Sequence, residues 1–521
     1  MTQVTSHAGF VASADQRATN AGLDVLRAGG NAVDAAIAVN AVLAVTAPHL
    51  CGLGGDLFAL IYTEGRVECL EAAGRAGSRS DPESLRAEGR QAMPLFNDLR
   101  SVTVPGCVDG LVGLHEHFGS RDLAESFAAA TTLAEDGFEA STPLAEAIGR
   151  LDEQARAALP ELADQVSAPG AVVRRPGVAR ALRSVAEQGR DGFYGGEFGA
   201  GLVAMPGVTI TEADLERSCS RLVEPLQCPA WGVDLWVAPP PSQGYLFAAS
   251  AALAGALDLP EPDDPVWAHL LVECATATGF DRPDVLFDGA DGAALLARVS
   301  GRGHLVDQER TSGRRAPGAS GDTTYLCTMD AQGMAVSLIQ SNASGLGAKI
   351  AEPSTQINLH NRGLGFNLIP GHPAELQPGR RPPHTLVPAM ATDERGLRAV
   401  LGTMGGDAQP QILLQVAARL FGHGQHPEEV IGAGRWALQA ASGFDTWTGD
   451  RLQLAVEGNA PSAWADGLAA RGHDVVVTPP LSAGFGHAMV IARLEDGSWA
   501  AAADPRTVVG SAGSTADPFP G

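Results

Sequence analysis

The chain has 521 residues, 45% apolar and 18% charged, a composition that suits two domains or one large layered domain and excludes pervasive disorder. With 60 acidic residues against 36 basic ones, the formal charge of −24 opposes binding to nucleic acid or an anionic membrane and leaves a small-molecule substrate open. The start, MTQVTSHAGFVASADQ, lacks the basic and apolar regions of a signal peptide, and the most apolar run, Ala32 to Ala47, is interrupted by Asp34 and Asn40 and is too short to span a bilayer. The seven cysteines include no C-x-x-C, so the expectation is a cytoplasmic protein with reduced thiols.

In chain order, residues 16–29 have helical spacing that stops at Gly29-Gly30. Asn31, with Asp34 three positions on, predicts the cap of a second helix from Ala32 to about Thr46, rich in alanine and valine and therefore buried against a sheet. CGLGGDLFALIY then reads as a glycine loop followed by an apolar strand. Residues 120–300 read mainly as helices, with turn-rich stretches at Gly195–Pro206 and Pro239–Gly244; the prolines of PPPSQG stiffen the second. Residues 299–322, rich in Gly, Ser and Arg, read as an exposed linker. From Thr323 the pattern alternates: TTYLCTM, the turn DAQG, then MAVSLIQS, a β-hairpin.

A linker that ends at a threonine on a strand carries the first chemical signal. Cutting between Asp322 and Thr323 gives Thr323 a free α-amine beside its own hydroxyl. An amine with an ordinary pKa of about 7.7–8.0 can serve as the base for a hydroxyl that is otherwise a poor nucleophile. Pairing Met329 with Met334 across the turn sets Asp322 opposite Ser341, so that Ser341 or Asn342 would orient the new N-terminus. The adjacent glycines Gly405 and Gly406, after the apolar run Ala399-Val400-Leu401, can turn backbone amides toward an oxyanion. CGLGGD and GLGAK lack the G-K-[ST] of a phosphate loop, and no H-E-x-x-H or other metal spacing occurs, so neither a metal nor another cofactor is expected.

The ordered set GGNAVDAAIAVNAVLAVTAPHLCGLGGDLFALIY, VPGCVDGLVGLHEHFG, PPPSQG, GDTTYLCTMDAQGMAVSLIQSN, GRRPPHTLVPAM, LGTMGGD and ADPR resembles the γ-glutamyltransferases, over about residues 9 to 510. The resemblance implies an αββα four-layer sandwich of the N-terminal-nucleophile hydrolase type, and a proenzyme that cuts itself into a large subunit, 1–322, and a small one, 323–521. It matches Thr323 to the nucleophile, Ser341 to a threonine that assists the N-terminus, and Gly405 with Gly406 to the oxyanion pair.

Three departures bear on the substrate. Gly365 stands where glutathione-processing members carry the aspartate that holds a substrate α-amine. His384-Thr385 replace their Ser-Ser pair, and Arg75 is the nearest candidate for their carboxylate-binding arginine, two positions out of register. Asp407 is a candidate substitute acid, and Arg75 with Arg362 suits a carboxylate-bearing substrate without an α-amine. The N-R-G-x-G-F and P-G-H-P variants are similar to the branch containing oxamate amidohydrolase and acylases. The expected activity is amide hydrolysis or acyl transfer through a threonyl acyl-enzyme on γ-glutamyl or related small amides. The alternatives are an oxamate amidohydrolase-like or acylase activity, a biosynthetic C–C bond hydrolase, and an inactive binding homologue. The two subunits of one precursor are the expected partners, and a higher oligomer is left open.

Overall fold

A computed structural model describes residues 3–4, 8–314, 323–440 and 452–517. Its centre is a pair of seven-stranded antiparallel sheets laid face to face, with helices covering both outer faces: the αββα sandwich. In spatial order the first sheet runs Ser511–Ser514, Phe10–Ser13, Thr324–Met329, Ala335–Ser341, Asp56–Thr63, Arg66–Ala72, Ser220–Val223. The second runs Gln3–Val4, Trp499–Ala503, Ala488–Arg493, Gly396–Thr403, Ala389–Asp393, Val233–Val237, Leu226–Ala230. Both sheets are therefore built from strands before and after position 323.

The helices follow from local chemistry. Gln16–Arg27 starts at Asp15, whose carboxylate accepts the Arg17 amide, and ends before Gly29 at φ +88°. Ala32–Thr46 has the Asn31/Asp34 capping box in place, and every one of its residues is buried. It lies across the Thr324–Met329 and Ala335–Ser341 strands. On the other side of the sandwich, Gly244–Gly255 and Gln409–Ala417 cover the second sheet, and Pro265–Gly279 packs on them.

The sheets approach closely where the hairpin begins. The Ser337 hydroxyl bonds the Tyr325 hydroxyl at 2.9 Å, the Ala389 amide at 3.1 Å and the Leu401 carbonyl at 3.3 Å, tying one sheet to the other. A side chain at Gly402 would put its Cβ 2.1 Å from the Tyr325 ring, so only glycine lets the two strands meet there.

Four sequence expectations change. The hairpin pairs Met329 with Ala335, one residue off the expected register, so the ladder continues to set Thr323 rather than Asp322 opposite Ser341. The cause is Asp330, whose carboxylate accepts the amides of Gln332 and Met334 and widens the turn by one residue. Gly195–Pro206 contains a helix, Glu197–Ala204. Its glycines mark contacts, not turns: a Cβ on Gly199 would lie 1.8 Å from the Tyr194 carbonyl oxygen and one on Gly201 2.0 Å from Glu352. Within the stretch read as helical, Ser220–Val223, Leu226–Ala230 and Val233–Val237 are strands, the last two joined through Trp231 and Gly232, both at positive φ. Of the expected linker, residues 301–305 form a short 3-10 turn and Ser312 bonds Glu273, while Asp322 lies outside the described residues. No described helix is long and apolar enough to cross a membrane.

Candidate active site

Thr323 sits at the head of an inner strand and is 1% exposed. Its hydroxyl donates to Ser341 Oγ at 3.0 Å. That oxygen also accepts the Ala343 amide at 2.8 Å and Arg362 Nη2 at 3.3 Å. Ala343 reaches this position because the chain turns through φ +74° just after the strand. Arg362 continues the chain of bonds, donating from Nη1 to Thr385 Oγ1 at 3.1 Å. Four residues singled out in the sequence thus form one buried line: Thr323, Ser341, Arg362, Thr385.

Burial is the leading influence on Arg362 and draws its pKa down to about 10; Asp56 and Asp407 oppose this and Arg282 adds to it. The guanidinium stays charged at neutral pH. Behind it lies a polar hub that the sequence reading missed. Asp56 Oδ1 accepts the amides of Gly74 and Gly106 at 3.0 and 3.1 Å, and Oδ2 accepts His384 Nε2 at 3.2 Å. Burial opposes ionisation of Asp56, but the neighbouring His360, the hydrogen bond from His384 and the cation of Arg362 outweigh this and keep the carboxyl below its usual range. Burial, with Arg362 adding, pushes His384 down to about 3, so its imidazole is neutral. The signal for the hub was present: Asp56 is the acid that ends GLGGD. His384, its partner, lies 328 residues away along the chain.

Gly405 and Gly406 have φ values of +137° and +55°, open to glycine at little cost. Among the described residues neither amide is engaged by a protein acceptor. Gln243, from the PPPSQG run, fixes the position of this turn by donating from Nε2 to the carbonyls of both Thr385 and Gly406, at 3.0 and 3.2 Å. Asp407 is taken up in an ion pair with Arg282 at 2.9 Å, both side chains being inaccessible to solvent. Asn342 is anchored through Nδ2 on the Pro48 carbonyl at 3.4 Å, and its Oδ1 is buried without a hydrogen-bond partner among the described residues. Arg75 points its guanidinium at the Ser218 carbonyl, 2.9 Å away. Gly365 has no room for an acid: its Cβ would lie 2.3 Å from the Pro383 carbonyl oxygen.

A cavity of about 510 Å³ opens beside Met404, the residue before Gly405, and is lined by His49, Arg150, Leu346, Lys349 and His487 among others. Lys349 rests its ammonium 3.9 Å from the centre of the Phe96 ring. Burial, as the leading influence, holds His49 near 3 and His487 near 4, so both are neutral.

The fold and a threonine at the head of an inner strand are those of the N-terminal-nucleophile hydrolases. A cephalosporin acylase from Bacillus halodurans superposes with a TM-score of 0.89 at 30% identity, covering 98% of this chain and 97% of that one. The sequence profile of the gamma-glutamyltranspeptidase family matches residues 18–514, and the chain belongs to that family, as an amidohydrolase. It is 33% identical to the oxamate amidohydrolase proenzyme of Klebsiella pneumoniae over 98% of this chain and 99% of the relative. To the glutathione hydrolase-like YwrD proenzyme of Bacillus subtilis it is 31% identical, over 95% and 97%.

Proposed function

We propose that this chain is a proenzyme that cuts itself between Asp322 and Thr323, and that the resulting pair, 1–322 and 323–521, hydrolyses small amides through a threonyl acyl-enzyme. The observation that carries this reading is the buried Thr323–Ser341 hydrogen bond at 3.0 Å, backed by the cation of Arg362. In processing, Thr323 Oγ attacks the Asp322 carbonyl carbon, the C–N bond breaks to leave an ester, and water hydrolyses the ester to free the Thr323 amine. In turnover that amine takes the hydroxyl proton as Oγ attacks the substrate carbonyl. The amides of Gly405 and Gly406 hold the oxyanion, the proton passes to the leaving amine, and water releases the acid.

The favoured acyl group bears a carboxylate and lacks an α-ammonium. An ammonium entering a closed site needs a carboxylate partner, because burying an unpaired charge is very unfavourable. Gly365 cannot supply one, and Asp407 already faces Arg282. Arg362 and Lys349 supply the opposite charge, which suits oxamate, the substrate named for the Klebsiella pneumoniae relative. A comparison of kcat/KM for glutathione, its des-amino analogue and oxamate tests this. Oxamate and the des-amino compound should lead. A preference of a hundredfold or so for glutathione over its des-amino analogue, roughly 2.7 kcal/mol of ammonium recognition, would refute it. Release of a C–C cleavage product would support the biosynthetic alternative, and an uncut, inactive chain the binding homologue.

A further inference from the structure

We propose that His269, Glu273 and His473 form a site for one divalent transition-metal ion of the zinc type. His269 and Glu273 stand one turn apart on the helix Pro265–Gly279, and His473 follows the helix Ala463–Ala470. One ligand atom from each lies within 4.8 Å of the others.

Two features of this cluster point to a cation. The first is the tautomer of His269. Its Nε2 lies 3.0 Å from the Asp307 carbonyl oxygen, which can only accept, so Nε2 carries the proton and Nδ1 presents a lone pair inward. A backbone carbonyl holding the far nitrogen is the usual outer support of a metal-binding imidazole. The second is Glu273, which is 1% exposed. Its Oε1 accepts the Ser312 amide at 3.1 Å, while Oε2 has no hydrogen-bond partner among the described residues. A buried carboxylate oxygen left bare is costly, and a cation between it and the two imidazoles removes that cost.

In the protein as described, His269 Nδ1 and His473 Nε2 are 2.8 Å apart, His473 donating. To bind the ion, His473 moves its proton to Nδ1. Metal–nitrogen bonds of about 2.0–2.1 Å in a tetrahedral site put ligand atoms roughly 3.3 Å apart, so the two nitrogens open by about half an ångström. Two nitrogens and one carboxylate, with a fourth position for water, favour zinc, cobalt or nickel over the all-oxygen preference of magnesium or calcium. A cavity of about 290 Å³ lined by His473, Thr311, Gly313 and Arg314 gives the ion a way in.

The ion would act as a fastener. Its ligands come from segments about two hundred residues apart, and its outer shell from residues 307–312; the Thr311 amide also bonds the Arg471 carbonyl at 2.8 Å. If the chain is cut before Thr323, the ion pins the tail of the large subunit to the small one; the site itself does not depend on that cut.

The experiment uses the full chain, stripped with a chelator and titrated with Zn2+ by calorimetry and with Co2+ by visible absorption. The expected result is one ion per chain, a higher Tm with Zn2+, and a Co2+ spectrum without a thiolate band, since none of the three ligands is a cysteine. Glu273→Gln, close to isosteric, and His473→Ala, at a partly buried position, should each weaken Zn2+ roughly a hundredfold or more, beyond what loss of outer-shell support costs. Circular dichroism of the stripped proteins checks that both variants are folded. Absence of saturable binding at micromolar Zn2+, equal affinity in folded variants, or a thiolate-to-cobalt band overturns the site.

Discussion

Replacing Ser341 by alanine probes the centre of the candidate site most directly. Three donors lie within hydrogen-bond distance of the serine oxygen and share its two lone pairs: the Thr323 hydroxyl at 3.0 Å, the Ala343 amide at 2.8 Å and Arg362 Nη2 at 3.3 Å. Arg362 keeps Thr385 as a partner, but among the described residues the Thr323 hydroxyl and the Ala343 amide have no other acceptor. A buried donor left without a partner costs about 1–3 kcal/mol, so Ser341→Ala should lower stability by a few kcal/mol in all. Only the Thr323 share acts on the nucleophile, and about 1–3 kcal/mol corresponds to a slowing of roughly 5- to 150-fold. Ser341→Thr keeps the oxygen and should stay within about tenfold of wild type. Intact mass against time measures self-cleavage, kcat on the best amide measures turnover, and calorimetry measures Tm. If Ser341→Ala matches wild type within twofold in both rates, Ser341 does not hold the nucleophile and the line from Thr323 to Arg362 is only packing.

Thr323→Ala should yield an intact, folded and inactive chain, whereas Thr323→Ser should still be cut; mass spectrometry with N-terminal sequencing decides, and a small subunit starting anywhere other than TTYL removes Thr323 from the mechanism. Gly406→Val, at φ +55°, should misdirect the amide and raise the barrier by about 2.7–4 kcal/mol, seen as a lower kcat with the fold retained. Burial leads in holding His487 near 4, with Asp504 opposing and Arg435 and Arg506 adding. The unfolded chain binds that proton from about pH 6.5 downward, so His487 removes up to about 1.4 kcal/mol of stability per pH unit as pH falls from 6.5 to 4. His487→Gln should therefore flatten the dependence of Tm on pH over that window, and an unchanged slope would show that the imidazole is not held neutral.

Much of this architecture could be read where structure depends on near neighbours. The cap at Asn31 and the strand from Thr324 follow from a few adjacent side chains. The hairpin register failed by one residue because it hinged on the Asp330 side chain, which composition alone does not place. The helix at Glu197–Ala204 was hidden because its glycines make room for the Tyr194 carbonyl and for the Glu352 side chain rather than for a turn. Within the site, Thr323, Ser341, Arg362 and Thr385 were each visible in their motifs, but the order in which they bond was not. Asp56 and Gln243 were missed because the side chain of His384, for the one, and the Gly406 carbonyl, for the other, lie 328 and 163 residues away along the chain.

The hairpin from Thr324 to Ser341 lies in the interior of its sheet, between Phe10–Ser13 and Asp56–Thr63. A break before Thr323 would therefore leave a nicked polypeptide in which each fragment completes the other's hydrogen-bond ladder. Such a pair has no exposed interface to dissociate on dilution: parting the fragments means melting both sheets. The two pieces should share a single unfolding transition, and separately made fragments should find their structure only by folding together.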